Sequence, residues 1–313
     1  MTIPLLIDCD PGIDDAVAVL LACASPEVSL LGLTTVAGNV GLPHTTRNAR
    51  RLLALAGRED VPVAAGADRA LVRASPGRAE HVHGPDGVHR AELPEPTVPV
   101  DPRTAVDLMA DTVRGSADPV TLVAIGPLTN VALFYAVHPG LAARLGRVVV
   151  MGGSAGAGNA SAAAEFNVWS DPEAAYRVLT DPGLPRAVPT TMIGLELTET
   201  VPLTAADLDL LAAGGPGGRA CARMLAPEAE RRRREGGRGE PAVHDAVAVA
   251  SVLAPALLET VPAAVTVDCS ADAGRGTTRV GPAPDGSSLV VAVGAQRRTV
   301  LDMIVHRVSD YQA

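Results

Sequence analysis

The chain has 313 residues, of which 47% are hydrophobic and 2% aromatic, and it carries a formal net charge of −9. This length allows a substantial core, the negative charge argues against nucleic acid as the main partner, and no apolar run approaches membrane-spanning length. No basic segment precedes the first apolar run and the four cysteines show no metal or CxxC spacing, so we predict a cytoplasmic protein with reduced thiols and no membrane partner.

Short apolar runs alternate with helical patterns through the first 190 residues. Strands are predicted at 3–8, 29–36, 61–65, 120–124, 147–151 and 186–190. Helices are predicted at 13–24, 43–56, 102–115, 127–137 and 171–180. Apolar, β-branched strands alternating with helices predict an α/β fold, with an open, mostly parallel twisted sheet and helices on both faces.

The remaining segments are less regular. Residues 66–100 are polar and rich in His, Gly and Pro, so they are predicted to form a long functional loop. Residues 203–254 are predicted to be mostly helical, interrupted by glycine clusters at 214–218 and 236–239. Strands at 265–267 and 288–293 are predicted to form a late hairpin, followed by a closing helix at 301–308. No linker divides the chain, so we predict a single domain over 1–313, with the helical segment bordering the site.

Four aspartates lie within eight residues at the end of the first predicted strand. They are Asp8, Asp10, Asp14 and Asp15, and Pro11 and Gly12 mark a turn between them. In open α/β sheets ligands bind at such carboxyl ends of strands. Ionising four crowded carboxylates is costly unless a cation is present. The sequence therefore predicts a site for a hard divalent cation with oxygen ligands, Ca²⁺ or Mg²⁺.

Further polar residues follow other predicted strands, and they are expected to converge on the same crevice. They are Asn39, Asn130, Asn159, Glu165, Asn167, His244 and Asp245. Each also has a simpler interpretation. A turn or cap would explain Asn39, and it is the favoured reading for Asn130. A solvated turn would explain Glu165 and Asn167, and His244 is as well explained by a structural hydrogen bond.

Other segments that could suggest a ligand site are better explained without one. The glycine-rich segment 152–158 lacks the lysine of a phosphate-binding loop, so a flexible loop is favoured. Counted from Asp8, the EF-hand pattern fails at its sixth and twelfth positions. The arginines at 231–234 are most simply a solvated helix face. The histidines at 81, 83 and 89 show no fixed metal geometry, and a mobile lid is the favoured interpretation.

The chain resembles the inosine–uridine preferring nucleoside hydrolases over nearly its whole length. These enzymes split N-ribosides into ribose and a free base. The resemblance is carried by Asp8-x-Asp10-Pro11-Gly12-Ile13-Asp14-Asp15, Thr34-Thr35-Val36-Ala37-Gly38-Asn39, His83-Gly84-x-Asp86-Gly87, Gly126-Pro127-Leu128-Thr129-Asn130, Met151-Gly152-Gly153, Asn159, Glu165-Phe166-Asn167 and His244-Asp245.

The resemblance implies a Rossmann-like nucleoside hydrolase fold with one Ca²⁺ at the carboxyl ends of the strands. The implied metal ligands are Asp10, Asp15, Asp245 and the main-chain carbonyl of Ile125. The implied substrate-binding residues are Asp14, Asn39, His83, Met151, Asn159, Glu165, Asn167 and Asp245. Asp8 is expected to lie behind the ligands. The resemblance also implies a homodimer or homotetramer.

The implied reaction is hydrolysis of the N-glycosidic bond by a Ca²⁺-activated water, with Asp10 as general base. His244 is the candidate acid for the departing base. Many relatives carry aromatic residues just before the His-Asp pair, where this chain has arginines 231–234, so the base preference stays open. An arginine there could bind an anionic or carbonyl-rich substrate group. The alternatives are a haloacid-dehalogenase-type phosphatase and a nucleoside-binding relative without turnover.

Overall fold

Nine strands of the described residues form one sheet. The computed structural model describes residues 2–73, 77–180, 188–283 and 287–312. The strands are β1 (Ile3–Cys9), β2 (Val28–Thr35), β3 (Val63–Ala65), β4 (Thr121–Ala124), β5 (Arg147–Met151), β6 (Thr190–Ile193), β7 (Leu258–Val267), β8 (Thr278–Pro282) and β9 (Leu289–Ala295).

Helices connect most of these strands. They are α1 (Ile13–Cys23), α2 (Leu42–Leu55), α3 (Glu80–His83), α4 (Ala105–Gly115), α5 (Thr129–Val137), α6 (Pro139–Ala142), α7 (Phe166–Ser170), α8 (Pro172–Leu179), α9 (Leu195–Thr198), α10 (Ala205–Ala213), α11 (Pro216–Arg234), α12 (His244–Leu253) and α13 (Arg297–Asp310), with a 3₁₀ turn at Pro255–Leu257. None of the described helices is both long and apolar enough to cross a bilayer.

The order of the strands creates a crevice beside β1. That order is β3-β2-β1-β4-β5-β6-β9-β7-β8. Pairs from β3 through β9 are parallel, and β7 runs antiparallel to both of its neighbours. The chain moves outward from β1 to β3 and then returns to β4 on the other side. Ligands bind outside the carboxyl ends of strands at such a switch point. The predicted open, mostly parallel sheet is confirmed.

Helices cover both faces of the sheet, which explains why its central strands are continuously apolar. Leu5 and Ile7 of β1 pack with α1, α2, α11, α12 and α13. Leu6, between them, points to the opposite face and packs with α4, α5 and α8. Since both faces of such a strand are covered, hydrophobic side chains do not alternate with polar ones.

Three details of the sequence prediction are wrong. The segment 66–100, predicted as a loop, contains the short helix α3. The glycine interruption predicted at 214–218 is shorter, because α11 begins at Pro216 and includes Gly217 and Gly218. Proline at a first helical position pre-sets the helical φ angle, and Gly218 lets α11 approach the Leu211 carbonyl closely. The late hairpin joins β7 to β8, with 288–293 contributing to β9 on the other side of β7.

The edge strand β8 was missed because its sequence, Thr-Arg-Val-Gly-Pro, lacks an apolar run. Part of the predicted strand at 186–190 lies outside the described residues, and β6 begins at Thr190.

The aromatic ring of Phe134 gives a direct test of the packing between α5 and the sheet. Phe134 is fully buried, so Phe134→Ala should lower the free energy of unfolding by about 3–5 kcal/mol through lost burial and cavity formation. The measurement is urea denaturation followed by circular dichroism. Val137→Ala on the same helix is the control, because Val137 is 61% exposed and its loss should cost less than about 0.5 kcal/mol. Equal losses in the two variants would contradict the packing.

Candidate active site

The turn between β1 and α1 is closed by the carboxylate of Asp15. Its Oδ1 accepts a hydrogen bond from the Asp10 amide at 3.1 Å, and its Oδ2 accepts one from the Gly12 amide at 2.9 Å. These bonds satisfy two buried amides of the turn that leads into α1. Gly12 cannot be replaced without a collision, because a Cβ there would meet the ring of His83 and come within 2.8 Å of Asn39 Nδ2.

Asp14, Asp15 and Asp245 bring their carboxylate oxygens within 4.8 Å of one another. Asp14 and Asp15 lie in the first turn of α1, and Asp245 lies in the first turn of α12. The two helix N-termini therefore point at the same place, and their dipoles favour negative charge there. All three side chains are buried.

Burial and mutual repulsion both oppose ionisation of this cluster. Burial raises the pKa of Asp14 to about 6, and the charge of Asp15 adds to the rise. Burial also raises the pKa of Asp15 to about 6, against hydrogen bonds from the Gly12 and Asp10 amides. The pKa values of Asp10 and Asp245 are raised well above the usual range, by burial first and then by neighbouring aspartates. Such a set of carboxylates is stabilised by a bound cation.

Asp10 lies beside the group of three rather than within it. Its Oδ2 accepts a hydrogen bond of 2.6 Å from the Asn39 amide. Its Oδ1 is buried and has no hydrogen-bond partner among the described residues. A Cβ at Gly126 would lie 2.6 Å from that oxygen, so Asp10 faces the end of β4 across a narrow gap. An unpartnered carboxylate oxygen beside three buried carboxylates fits a hard cation.

The carbonyl of Ile125 follows β4 at the same edge of the sheet. It accepts a hydrogen bond of 3.0 Å from Asn167 Nδ2, which also donates to the Met151 carbonyl at 3.2 Å. A carbonyl oxygen has a second lone pair, so the hydrogen bond from Asn167 leaves Ile125 able to serve as a ligand. Hard oxygen donors are thus available just after β1 and β4 and from the first turns of α1 and α12.

Asp8 and Asn130 lie behind this cluster. Asn130 Nδ2 donates to Asp8 Oδ1 at 2.8 Å and to the Thr35 carbonyl at 3.0 Å, while its Oδ1 accepts from the Ala67 amide at 2.9 Å. The turn or cap predicted for Asn130 is therefore wrong, because the side chain ties three segments together. Burial raises the pKa of Asp8 to about 7, against hydrogen bonds from Thr34 and Asn130.

Glu165 organises the loop after β5. Its Oε1 accepts from the Asn167 amide at 2.9 Å, and its Oε2 accepts from the amides of Gly153 at 2.9 Å and Val168 at 3.1 Å. Glu165 is therefore the N-cap residue of α7, since its side chain accepts hydrogen bonds from the first amides of the helix. The sequence pattern alone does not distinguish such a cap from a solvated turn. Burial raises the pKa of Glu165 against these bonds. Asn159 Oδ1 accepts from the Phe166 amide at 2.8 Å.

Two histidines face the cluster. The Ile13 amide donates to His83 Nδ1 at 3.1 Å, so the ring proton is assigned to Nε2. Burial lowers the pKa of His83 to about 3, which keeps this ring neutral. His244 Nδ1 is 2.8 Å from Thr198 Oγ1, and its Nε2 is 3.7 Å from Glu199 Oε1.

A cavity of about 360 Å³ opens above these groups. Its volume lies within the usual range for small-molecule sites. The predicted residues that line it are Asp14, Asn39, His83, Ile125, Met151, Asn159, Glu165, Asn167, His244 and Asp245. Asp10 and Asp15 are not part of its lining, and they join the site through their hydrogen bonds and proximity to these residues.

The cavity also has a wall of which the sequence analysis considered only the arginines at 231–234 as possible substrate contacts. Its members are Arg78, Phe166, Trp169, Glu199, Glu228, Arg231 and Arg232, and His81 lies with them. Glu199 lies at the end of α9, the short helix that follows β6, so it is not at a strand end and no sequence signal singled it out. The spacing of Glu228 from Arg231 and Arg232 indicated ion pairs on α11, but no sequence signal showed that this face of the helix borders the cavity.

The fold and the acidic cavity at its switch point define an α/β enzyme that acts on a small molecule. Residues 5–302 match the family model for inosine–uridine preferring nucleoside hydrolases. The pyrimidine-specific ribonucleoside hydrolase RihA of Citrobacter koseri is 40% identical over 320 residues, which cover 99% of each chain. Among solved structures, the plant nucleoside hydrolase PpNRh1 has a TM-score of 0.89 at 29% identity over 99% of each chain. A purine-preferring ribonucleoside hydrolase from Gardnerella vaginalis has a TM-score of 0.88 at 30% identity over 98% of each chain.

The chain belongs to the inosine–uridine preferring nucleoside hydrolase family, and it is a ribonucleoside hydrolase. The resemblance seen in the motifs is confirmed, and the phosphatase alternative is set aside. The relatives carry different base preferences in their names, one pyrimidine and one purine. The base therefore has to be argued from this chain's own cavity.

The raised pKa of Asp14 predicts how stability depends on pH when divalent cations are chelated. A folded-state pKa of about 6 exceeds the unfolded value near 4, so the folded state holds more protons between these pH values. Stability contributed by the protonated carboxyl is therefore lost as pH rises from about 4 to 6. The free energy of unfolding of Asp14→Asn minus that of wild type should therefore be about 2 kcal/mol larger at pH 7.5 than at pH 4.5, because the variant has no carboxyl to ionise.

The measurement is urea denaturation of both proteins in excess chelator at the two pH values. Asp209→Asn, on the exposed side of α10, is the control and should show no such pH-dependent gain. An Asp14→Asn gain that is equal at both pH values would contradict the assignment.

Proposed function

We propose that this enzyme hydrolyses ribonucleosides to ribose and free base with the help of a bound Ca²⁺, and that Asp10 is the general base. The observation that carries the proposal is the convergence of three buried carboxylates beside a cavity of nucleoside dimensions. Such carboxylates can accept hydrogen bonds from vicinal hydroxyls and can coordinate a divalent cation. A homodimer or homotetramer is proposed from the family resemblance alone. Light scattering, which gives the molar mass in solution, tests this oligomeric state.

Asp10, Asp15, Asp245 and the Ile125 carbonyl are the proposed metal ligands. They supply only oxygen donors, which suit Ca²⁺ rather than Zn²⁺ or a redox metal. When bound, the cation would lower the pKa of a water molecule and hold it near C1′ of the ribose. The buried, unpartnered Oδ1 of Asp10 supports this assignment.

The ribose is proposed to bind among the polar residues of the cavity. These are Asp14, Asn39, Asn159, Glu165, Asn167 and Asp245, and the apolar Met151 lines the same part of the cavity. Carboxylates accept hydrogen bonds from sugar hydroxyls, and amides both donate and accept them. The many internal hydrogen bonds of Glu165 and Asn167 fix their positions before substrate arrives, which reduces the entropy lost on binding.

In the proposed reaction, Asp10 removes a proton from water as the water oxygen attacks C1′. The C1′–N bond breaks, and its electron pair leaves with the base. The sugar passes through an oxocarbenium-like transition state, which the nearby carboxylates stabilise. His244 delivers a proton to the departing base, and direct attack by water inverts the configuration at C1′. His83, which is neutral and carries its proton on Nε2, contributes a hydrogen-bond donor to the substrate.

The function is tested by measuring ribose release from uridine, inosine, cytidine and adenosine with a reducing-sugar assay. Wild type should release ribose with Ca²⁺ and lose activity in excess chelator. Asp10→Asn should lower kcat about 10²- to 10⁴-fold on every nucleoside that wild type cleaves, because the general base is lost. Asp209→Asn should match wild type. Full activity of Asp10→Asn, or activity that withstands prolonged chelation, would overturn the mechanism.

The role of His244 is tested with two leaving groups. His244→Ala should lower kcat on nucleosides about 100-fold, because their bases leave more easily when protonated. On 4-nitrophenyl β-D-ribofuranoside the loss should be smaller than about threefold, because the nitrophenolate leaves without a proton. Steady-state rates on both substrates give the comparison. An equal loss on both substrates would show that His244 does not act as the acid.

A further inference from the structure

The four consecutive arginines at the end of α11 divide into two pairs. Arg231 and Arg232 line the cavity. Arg233 and Arg234 instead pair with Glu230, at 3.7 Å and 3.0 Å, and the Arg234 side chain is 76% exposed. The solvated helix face predicted for this run is correct for Arg233 and Arg234 only.

Glu228 holds both cavity-facing arginines. Its side chain is 4% exposed, and it accepts hydrogen bonds of 2.7 Å from Arg231 Nε, Arg231 Nη2 and Arg232 Nε. Burial opposes its ionisation, but the hydrogen bonds from the two arginines outweigh burial and lower the pKa of Glu228. The residue therefore stays charged and fixes the two guanidinium planes before a substrate arrives.

The two arginines differ in the donors that remain. Arg231 is also bound through Nη1 to both oxygens of Glu235, so every one of its nitrogen atoms already serves a carboxylate. Arg232 Nη1 lies 3.4 Å from the Glu240 carbonyl and 3.6 Å from Glu199 Oε2. Within the part of the chain that the structure describes, Arg232 Nη2 makes no hydrogen bond, and its two N–H groups are left for a ligand.

The carboxylates next to Arg231 and Arg232 favour one of the two substrate groups that the sequence leaves open, a carbonyl-bearing group or an anionic one. Three carboxylates, of Glu199, Glu228 and Glu235, surround two guanidinium groups. Because the charges of both guanidinium groups are already balanced by these carboxylates, Arg231 and Arg232 offer little net attraction to an anionic substituent on the base. A neutral carbonyl oxygen only accepts hydrogen bonds, and it matches free N–H donors without adding charge.

We propose that Arg232, held in place by Glu228, is the specificity-determining residue that donates hydrogen bonds to a ring carbonyl oxygen of the base. The inference rests on the proposed function of the same cavity. As the C1′–N bond breaks, the electron pair left on the base spreads onto its ring carbonyl oxygens. A hydrogen bond from Arg232 strengthens as that charge develops, so it favours carbonyl-bearing bases in the transition state and not only in the bound substrate.

The experiment compares substrates that differ at the ring carbonyl. One pair is uridine and pyrimidin-2-one riboside, which lacks the 4-oxygen, and the other is inosine and purine riboside, which lacks the 6-oxygen. The quantity measured is the ratio of kcat/KM within each pair that wild type hydrolyses. This ratio does not depend on the fraction of folded enzyme, so a partly misfolded variant still gives a valid result.

Arg232→Ala should reduce the ratio about 10- to 100-fold relative to wild type, since a hydrogen bond to a charged donor is lost. Arg234→Ala, two residues away and outside the cavity, is the matched control and should keep the wild-type ratio. Glu228→Gln should reduce the ratio less than Arg232→Ala, because the amide retains one acceptor for the guanidinium groups.

An unchanged ratio in Arg232→Ala, or an equal fall in Arg234→Ala, would overturn the assignment of Arg232. That result differs from failure of the proposed function, in which wild type would release ribose from none of the four substrates.

Discussion

The burial of several carboxylates at the switch point between β1 and β4 is the constraint on which the rest of the structure depends. Asp10, Asp14, Asp15 and Asp245 all have raised pKa values because they are removed from water and repel one another. Two helix N-termini and a set of backbone amides partly offset this cost. A hard cation bound among the carboxylates would offset the repulsion and the desolvation cost that remain.

Much of the surrounding architecture holds these carboxylates in position. Asn130 joins β1, the end of β2 and the loop after β3, and Asn39 joins Asp10 to Asp15. Gly12 allows His83 and Asn39 to approach the start of α1. These contacts fix side chains in advance of binding, so that substrate meets an organised site instead of ordering one.

The cavity combines two kinds of surface with different tasks. Carboxylates and amides at the strand ends suit the invariant part of every ribonucleoside, its sugar. The wall formed by Glu199, Glu228, Arg231 and Arg232 belongs to α9, α11 and their flanking residues, outside the central sheet. A helix that packs on the edge of a site can change its side chains without disturbing the sheet, which fits the different base preferences named for the relatives.

The sequence by itself determined the α/β class, nearly every strand of the parallel sheet and the acidic cluster after β1, because apolar runs and charge density are local properties. It could not decide that Asp14, and not Asp10, joins Asp15 and Asp245 in the closest group, nor that Asn130 ties three segments together. It also could not separate Arg231 and Arg232 from Arg233 and Arg234. These outcomes depend on side-chain directions and on contacts between distant segments, and only the tertiary structure fixes them.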